Sequence, residues 1–165
     1  LPKTLYSDLT KMFSNRGVKV VVDAGGSVLA EVLQEKPFLV KPNHHELSEL
    51  FGVSINTVEE VIPFGKKVVE MGAENVIVSM AGDGALLFTN GKVYSATVPK
   101  GKVLNSVGAG DSLVAGFIGT YSKDQDFMKA FQIAVATGSA TAFSQDLATK
   151  EKIDSLLNQV TVKDI

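Results

Sequence analysis

The sequence predicts an α/β fold with a mostly parallel sheet flanked by helices. Three observations lead there. The short, continuous apolar runs VKVVVD (18–23), FLVKPN (38–43) and NVIVSM (75–80) have the pattern of strands buried on both faces. Segments of helical periodicity separate these runs, so strands and helices alternate along the chain. An antiparallel signal stands at one place only, where ALLFT (85–89) and KVYSATV (92–98) flank Asn90-Gly91, a strong hairpin turn.

The elements follow in order. Leu5, Leu9, Met12 and Phe13 recur at helical spacing within 4–16, and Gly17 stops that helix. After the first strand, Ala24 to Ser27 is a turn, and 27–35 is a second helix. Pro42 ends the second strand, and Asn43 is a good cap for a helix over 44–51 with Glu46 at its third position. Val58, Val61, Ile62, Gly65, Val68 and Val69 share one face of a helix over 57–71, in which Pro63 is the place for a break or kink. Ser112 to Ile118 is small and apolar, as a buried helix would be. A long helix over 126–143 carries Phe127, Phe131, Ala134, Val135, Gly138 and Ala142 on one side, and a last helix covers 149–158. No repeat, low-complexity tract or linker interrupts the chain, so 1–165 reads as a single domain.

Composition narrows the function classes. With 165 residues and 45% hydrophobic content, the chain can bury a real core, which argues against disorder. Sixteen basic against eighteen acidic residues give a net charge of −2 with no long basic run, so there is no electrostatic case for nucleic acid. The absence of cysteine excludes disulfides and thiolate–metal sites. No apolar run approaches a membrane span and the start does not look like a signal peptide, so no membrane partner and a cytoplasmic location are expected. The first residue is Leu1, not Met, which suggests a start in mid-sequence.

Asn105 to Phe117, NSVGAGDSLVAGF, is the stretch around which the rest is organised. Gly108, Ala109 and Gly110 have almost no side-chain bulk, and Asp111 follows at once. A glycine-rich turn that opens a helix leaves backbone N–H groups without intrahelical partners, and with the helix dipole that end holds an anion. An aspartate there would repel a resting phosphate. It fits if it takes a proton from a hydroxyl that attacks phosphorus. The plain alternative is an ordinary helix start with Asp111 as a first-turn acid.

Two further segments lie beyond the carboxyl ends of predicted strands, where ligands of open α/β sheets bind, as does the turn after Asp23. In KPNHHE (41–46), Asn43 and Glu46 sit three apart at a helix start and can face one point. Together they could hold Mg²⁺ through its waters, or they could simply cap the helix. His44 and His45 are adjacent, expected to point apart, and so a poor metal pair. In SMAGDG, Gly82 and Gly84 would let a nucleotide lie close against the backbone, or would serve a turn that needs positive φ. A Walker A sequence is absent, and a dinucleotide fingerprint fails because Leu113 stands at its third glycine position.

KPN-x-x-E, a strand ending S-x-x-G-x-G and V-G-A-G-D-S opening a helix stand in this order, and together they resemble the ribokinase-like (PfkB) family of sugar kinases. Within it the chain looks most like 1-phosphofructokinases, from LPK at the start, NSVGAGDSLVAGF and GSATAFSQDLAT (138–149), with tagatose-6-phosphate kinases close by. The resemblance implies a ribokinase-like fold, ATP and Mg²⁺ as cofactors, and transfer from ATP to fructose 1-phosphate to give fructose 1,6-bisphosphate and ADP. It implies Asp111 as general base and Gly108, Ala109 and Gly110 as the anion hole. Asn43 and Glu46 would orient magnesium and phosphate. Ser79, Met80, Ala81, Gly82, Asp83 and Gly84 would line the ATP site, with the small residues from Ala136 to Ser139 near the adenine, and Lys41 would touch a phosphate. The expected partner is a small sugar phosphate, with a homodimer left open. The chain resembles only the C-terminal half of such a kinase: the family's G-G-K-G sugar-phosphate segment, lid strands and early aspartate have no match, so alone it is expected to be inactive.

Overall fold

The computed structural model describes residues 4–165. The Leu-Pro-Lys start therefore lies outside the described residues. The chain forms two compact units. One runs to Met80 and takes in Leu86–Val93, and the other holds Ala81–Ala85 and Tyr94–Ile165. Hydrogen bonding orders the strands as β1-β2-β3-β4-β5-β6, so strand order follows chain order.

The first unit contains α1 (Leu5–Ser14), β1 (Val21–Val22), α2 (Gly26–Leu33), β2 (Leu39–Val40), α3 (His44–Phe51), α4 (Val58–Glu70) and β3 (Asn75–Ser79). It also holds most of β4 (Ala85–Thr89) and the start of β5 (Lys92–Ala96). β1 pairs with β2 and β2 with β3, both parallel, with Val22 opposite Val40 and Val40 opposite Val76. Val76, Ile77 and Val78 are all fully buried in sequence, as an apolar run covered on both faces must be. Leu29 and Leu33 of α2, Leu47 of α3, and Val61 and Val68 of α4 pack with Val40, Val76, Val78, Leu86 and Phe88 into the core.

Helix starts follow local chemistry. The Asn43 side chain accepts from the backbone of His45 and Glu46, and the Glu46 side chain accepts from the backbone of Asn43, a reciprocal cap. Thr57 and Glu60 make the same box at α4. α4 runs through Pro63 as one helix, so the chain is not split there. Pro63 and Glu59 are both exposed, so the carbonyl that loses its helical partner faces water. In the hairpin turn, Asn90 and Gly91 both have positive φ, as the Asn-Gly signal predicts.

Two expectations in this unit change. The first strand shrinks from 18–23 to Val21–Val22, because β2 offers only two residues to pair with. The helix at 4–16 forms as α1, but Tyr6, Leu9, Met12 and Phe13 are exposed, and Thr10 is its buried residue. The Thr10 hydroxyl donates to the Tyr6 carbonyl, which satisfies it without a partner outside the helix.

The second unit contains the end of β5, α5 (Ala109–Asp124), α6 (Phe127–Ala142), α7 (Lys150–Leu157) and β6 (Val162–Asp164). Small residues set the approach of α5 and α6. A Cβ on Gly116 would come 2.7 Å from Thr137 Oγ1, and one on Gly138 would come 3.0 Å from the Ala109 carbonyl oxygen. Phe117 and Phe131 are fully buried, and the Tyr121 and Phe127 rings meet at 4.5 Å. Asp126 caps α6 through Lys129 N, and Thr149 caps α7 through Lys152 N. The strand β6, absent from the sequence reading, pairs antiparallel with β5, Tyr94 opposite Asp164.

In the first unit α4 lies directly on Phe88. A Cβ on Gly65 would fall 2.2–2.7 Å from three atoms of that ring. Gly65→Ala is therefore expected to destabilise the protein by about 1–3 kcal/mol through overpacking. Adding Phe88→Leu to it should recover part of the loss, as read from urea midpoints of the two single variants and the double variant.

Candidate active site

Lys41, Asn43, Glu46, Ser79 and Met80 belong to the first unit, and Ala81, Gly82, Asp83, Gly84, Gly108, Ala109, Gly110 and Asp111 to the second. In the first unit the parallel strands end together. Ser79 N donates to the Pro42 carbonyl at 3.2 Å, and Asn43 makes a parallel bridge with Ser79. This brings the KPN segment beside the end of β3. Beyond the carboxyl ends of such strands lies the usual ligand position.

Asn43 and Glu46 face each other through the capping box. Asn43 Oδ1 accepts from His45 N and Glu46 N, both at 2.9 Å, and Glu46 Oε2 accepts from Asn43 N at 2.8 Å. Gly25 makes room for the carboxylate, since a Cβ there would lie 2.7 Å from Glu46 Cγ and 3.1 Å from Oε1. Glu46 Oε1 accepts no hydrogen bond among the described residues. The pair is thus a structural cap with one carboxylate oxygen to spare. Among the described residues no group of three His, Cys, Asp or Glu side chains could hold a metal ion. These donors fit magnesium only through its retained waters, which is how that ion commonly binds.

Lys41 is 5% exposed, and its ammonium meets Asp23 Oδ1 at 3.2 Å. His44 and His45 do not point apart as expected, because their ring centroids lie 3.9 Å from each other. His44 Nδ1 is buried without a hydrogen-bond partner among the described residues. The Met80 side chain belongs to the hydrophobic core, so only its backbone can meet a ligand.

In the second unit Ala81–Asp83 form a short 3-10 turn, and all three residues are exposed. Gly84 has φ +109°, and a Cβ there would lie 2.4 Å from the Ala96 carbonyl oxygen. It is glycine because of its own backbone, whereas Gly82 has open space around it.

The start of α5 is built by the loop before it. The N–H groups of Leu104 and Asn105 donate to the Ala142 carbonyl at 2.8 and 3.2 Å. The Asn105 amide donates to the Gln145 carbonyl and its Oδ1 accepts from Val107 N. Gly108 then turns left-handed, with φ 77° and ψ −1°, and the helix begins. The positive φ falls on Gly108, and Gly110 lies inside the first helical turn.

The N–H groups left open at this helix start are not all those of the glycine-rich trio. Ala109 N is spent on the Ser106 carbonyl at 3.2 Å. Among the described residues the N–H groups of Gly108, Gly110 and Asp111 have no protein acceptor. The open donors are therefore Gly108 with the first-turn pair Gly110 and Asp111. Asp111 is exposed, and among the described residues nothing ion-pairs with or donates to its carboxylate. Behind it the Thr141 hydroxyl, 2% exposed, donates to Ser112 Oγ at 2.9 Å and accepts from Ala148 N at 3.3 Å. This buried bond ties the first turn of α5 to the end of α6 and to the loop after it.

Ala136 is fully buried, and Gly138 packs on Ala109 and Leu113. The segment expected near an adenine thus mainly seats α6. Val107 and Leu147 are 78% and 72% exposed, and a methyl of Leu147 reaches within 3.5 Å of where a Gly108 Cβ would stand. Apolar surface therefore flanks the open donors.

Sequence reasoning gave no role to Asp23, Asn105 or Thr141. Asp23 could have been found as the polar end of an apolar strand, and Asn105 as a turn-forming residue before a glycine run. Thr141 sits in an apolar helix pattern, and only the packing of α5 on α6 reveals it.

Comparison with known proteins places these features. A family model described as pfkB family carbohydrate kinase matches residues 1–153. The chain is 55% identical over 162 residues to a 1-phosphofructokinase of Bacillus subtilis, covering 98% of this chain and 54% of that protein. It is 34% identical over 163 residues to a D-tagatose-1-phosphate kinase of Bacillus licheniformis, with 98% and 54% covered. Its fold superposes on an Arabidopsis thaliana ribokinase complexed with ribose and ATP with a TM-score of 0.82 at 25% identity, covering 94% of this chain and 53% of that one. The chain spans about half the length of the curated relatives it matches. With a mixed α/β sheet flanked by helices, open donors at a glycine-rich helix start and a family match over nearly its whole length, the chain belongs to the pfkB family of carbohydrate kinases.

Proposed function

We propose that this chain is the nucleotide-binding and catalytic portion of a kinase that transfers the γ-phosphoryl group of ATP to fructose 1-phosphate. The single observation behind this reading is Asp111. It is an exposed carboxylate without a protein partner among the described residues, in the same helical turn as open N–H donors. A binding module would gain nothing from a carboxylate there, because it repels phosphate. A general base needs that position and a free lone pair.

The chain's own residues divide the work. Asp111 accepts the proton of the attacking sugar hydroxyl while that oxygen bonds to phosphorus and the bridging bond to ADP breaks. The N–H groups of Gly108, Gly110 and Asp111 donate to phosphoryl oxygens as charge develops on them. The backbone of Ser79–Gly84 lines the nucleotide, and Val107 with Leu147 offers its base an apolar surface. Magnesium, held through water by Glu46 and Asn43, would neutralise phosphate charge. ATP chemistry of this kind fits a cytoplasmic protein, and a homodimer is a further part of the proposal.

The likeness to a D-tagatose-1-phosphate kinase keeps a tagatose phosphate as the second substrate reading. The 54% coverage of relatives supports a further expectation. Residues 1–165 alone should bind ATP weakly and show no sugar-dependent turnover, since effective molarities of about 10⁵–10⁸ M depend on holding the acceptor in line. Calorimetry with ATP and an ADP-release assay with fructose 1-phosphate and tagatose phosphates test this. Turnover of about 1–100 s⁻¹ by this chain would show that its site is complete.

In a protein completed to the length of the relatives, Asp111→Asn should lower the phosphoryl-transfer rate by about 10²–10⁴-fold or more with ATP affinity nearly unchanged. A variant keeping over about a tenth of the rate, against that range, would remove Asp111 from its role. In the same protein Glu46→Ala should raise the magnesium concentration needed for half-maximal rate. An unchanged magnesium titration would leave Glu46 as a helix cap only.

A further inference from the structure

We propose that Asp23 is a positioning residue. It holds the Lys41 ammonium at the carboxyl end of the parallel strands as a donor to a phosphate oxygen of a substrate. The proposal rests on the kinase reading above.

The placement follows from strand register. β1 and β2 run parallel with Val22 opposite Val40, so the next residues along each chain, Asp23 and Lys41, leave the sheet side by side. Lys41 N donates to the Val22 carbonyl at 3.3 Å, which fixes the backbone between the two side chains. The Lys41 side chain is 7% exposed and that of Asp23 is 30% exposed, so the cation is the more deeply buried member of the pair. A buried ammonium without a counter-charge is strongly disfavoured, and Asp23 supplies that charge.

An ammonium has three donors. Asp23 Oδ1 takes one, and among the described residues no other acceptor reaches Lys41 Nζ. Two donors therefore stay open beside the level at which Asn43 bridges Ser79. A phosphate oxygen is the ligand chemistry that suits a buried ammonium with spare donors. A purely apolar or cationic ligand would leave those donors unpaired.

The sign of the effect separates positioning from simple charge. Asp23 is itself negative. If it were a bystander, its neutralisation would strengthen anion binding. If it positions Lys41, its neutralisation weakens anion binding, and only while Lys41 is present.

The experiment titrates residues 1–165 calorimetrically with three probes: ATP with magnesium, fructose 1-phosphate, and inorganic phosphate. Asp23→Asn, Lys41→Met and the double variant are compared with the parent, with circular dichroism melts as a folding control. Lys41→Met keeps the apolar stem and removes the charge, so it tests the site without reshaping the core. Lys41→Met is expected to weaken at least one probe about tenfold, the size of one lost charged hydrogen bond. Asp23→Asn should weaken the same probe severalfold, and should change nothing further in the Lys41→Met background.

Loss confined to ATP assigns Lys41 to the nucleotide phosphates, and loss confined to fructose 1-phosphate assigns it to the sugar phosphate. Either result supports the proposal. Parent binding of ATP with both single variants unchanged overturns the proposal while the kinase reading stands. Lys41-dependent binding of inorganic phosphate without ATP binding keeps the pair and overturns the kinase reading. Tighter binding in Asp23→Asn, or equal losses from it with and without Lys41, rejects positioning, and no binding of any probe by the parent rejects both ideas.

Discussion

Asn43 stands where a strand pairing and a reciprocal helix cap meet, and the ends of the parallel strands depend on it. Its backbone bridges Ser79 at the end of β3, its side chain caps α3, and its N–H is held by Glu46. These bonds fix where β2 stops and α3 starts. They also turn the Glu46 carboxylate of α3 back onto the Asn43 N–H. A cap usually satisfies helix donors and no more. Here the capping residues also lie beyond the carboxyl ends of the strands, where open α/β sheets usually take their ligands.

The start of α5 solves a different problem. A general base must be open to substrate, yet its position must be rigid. In the proposed role Asp111 would meet both demands, because the restraints act on its neighbours. Gly108 sets the turn, Asn105 ties the preceding loop to Gln145, and the buried Thr141–Ser112 bond holds the first turn from behind. None of these bonds uses the carboxylate. Buried polar pairs of this kind specify a unique packing because an unpaired hydroxyl there would be costly.

What could be read from the sequence was whatever local chemistry decides. The apolar strands, the Asn-Gly hairpin, the Asn43 cap and the glycine-rich helix start depend on residues within a few positions of each other. What could not be read depends on partners far along the chain. α1 shows the limit, since its apolar spacing announces a helix but not which face is covered. β6 is three residues long and exists through its pairing with β5. Pro63 is tolerated because of where α4 faces water, and Asp23 meets Lys41 only through strand register. At the start of α5 the glycine motif was legible but the unbonded N–H groups are offset from it, because the Ser106 carbonyl captures Ala109 N.

Strand order that follows chain order has a consequence for how this protein is made. Each strand leaving the ribosome finds its hydrogen-bonding neighbour already synthesised, and that neighbour is the strand before it. Among the described strands none has to wait for a distant later segment to fill a gap between two earlier ones. Loop-closure entropy is therefore met one pairing at a time, and the longest closure is that of β6 onto β5 across the segment that holds α5, α6 and α7. Growth from the N-terminal side also keeps one edge of the nascent sheet open at every stage, where the next strand to emerge is the nearest competitor for it.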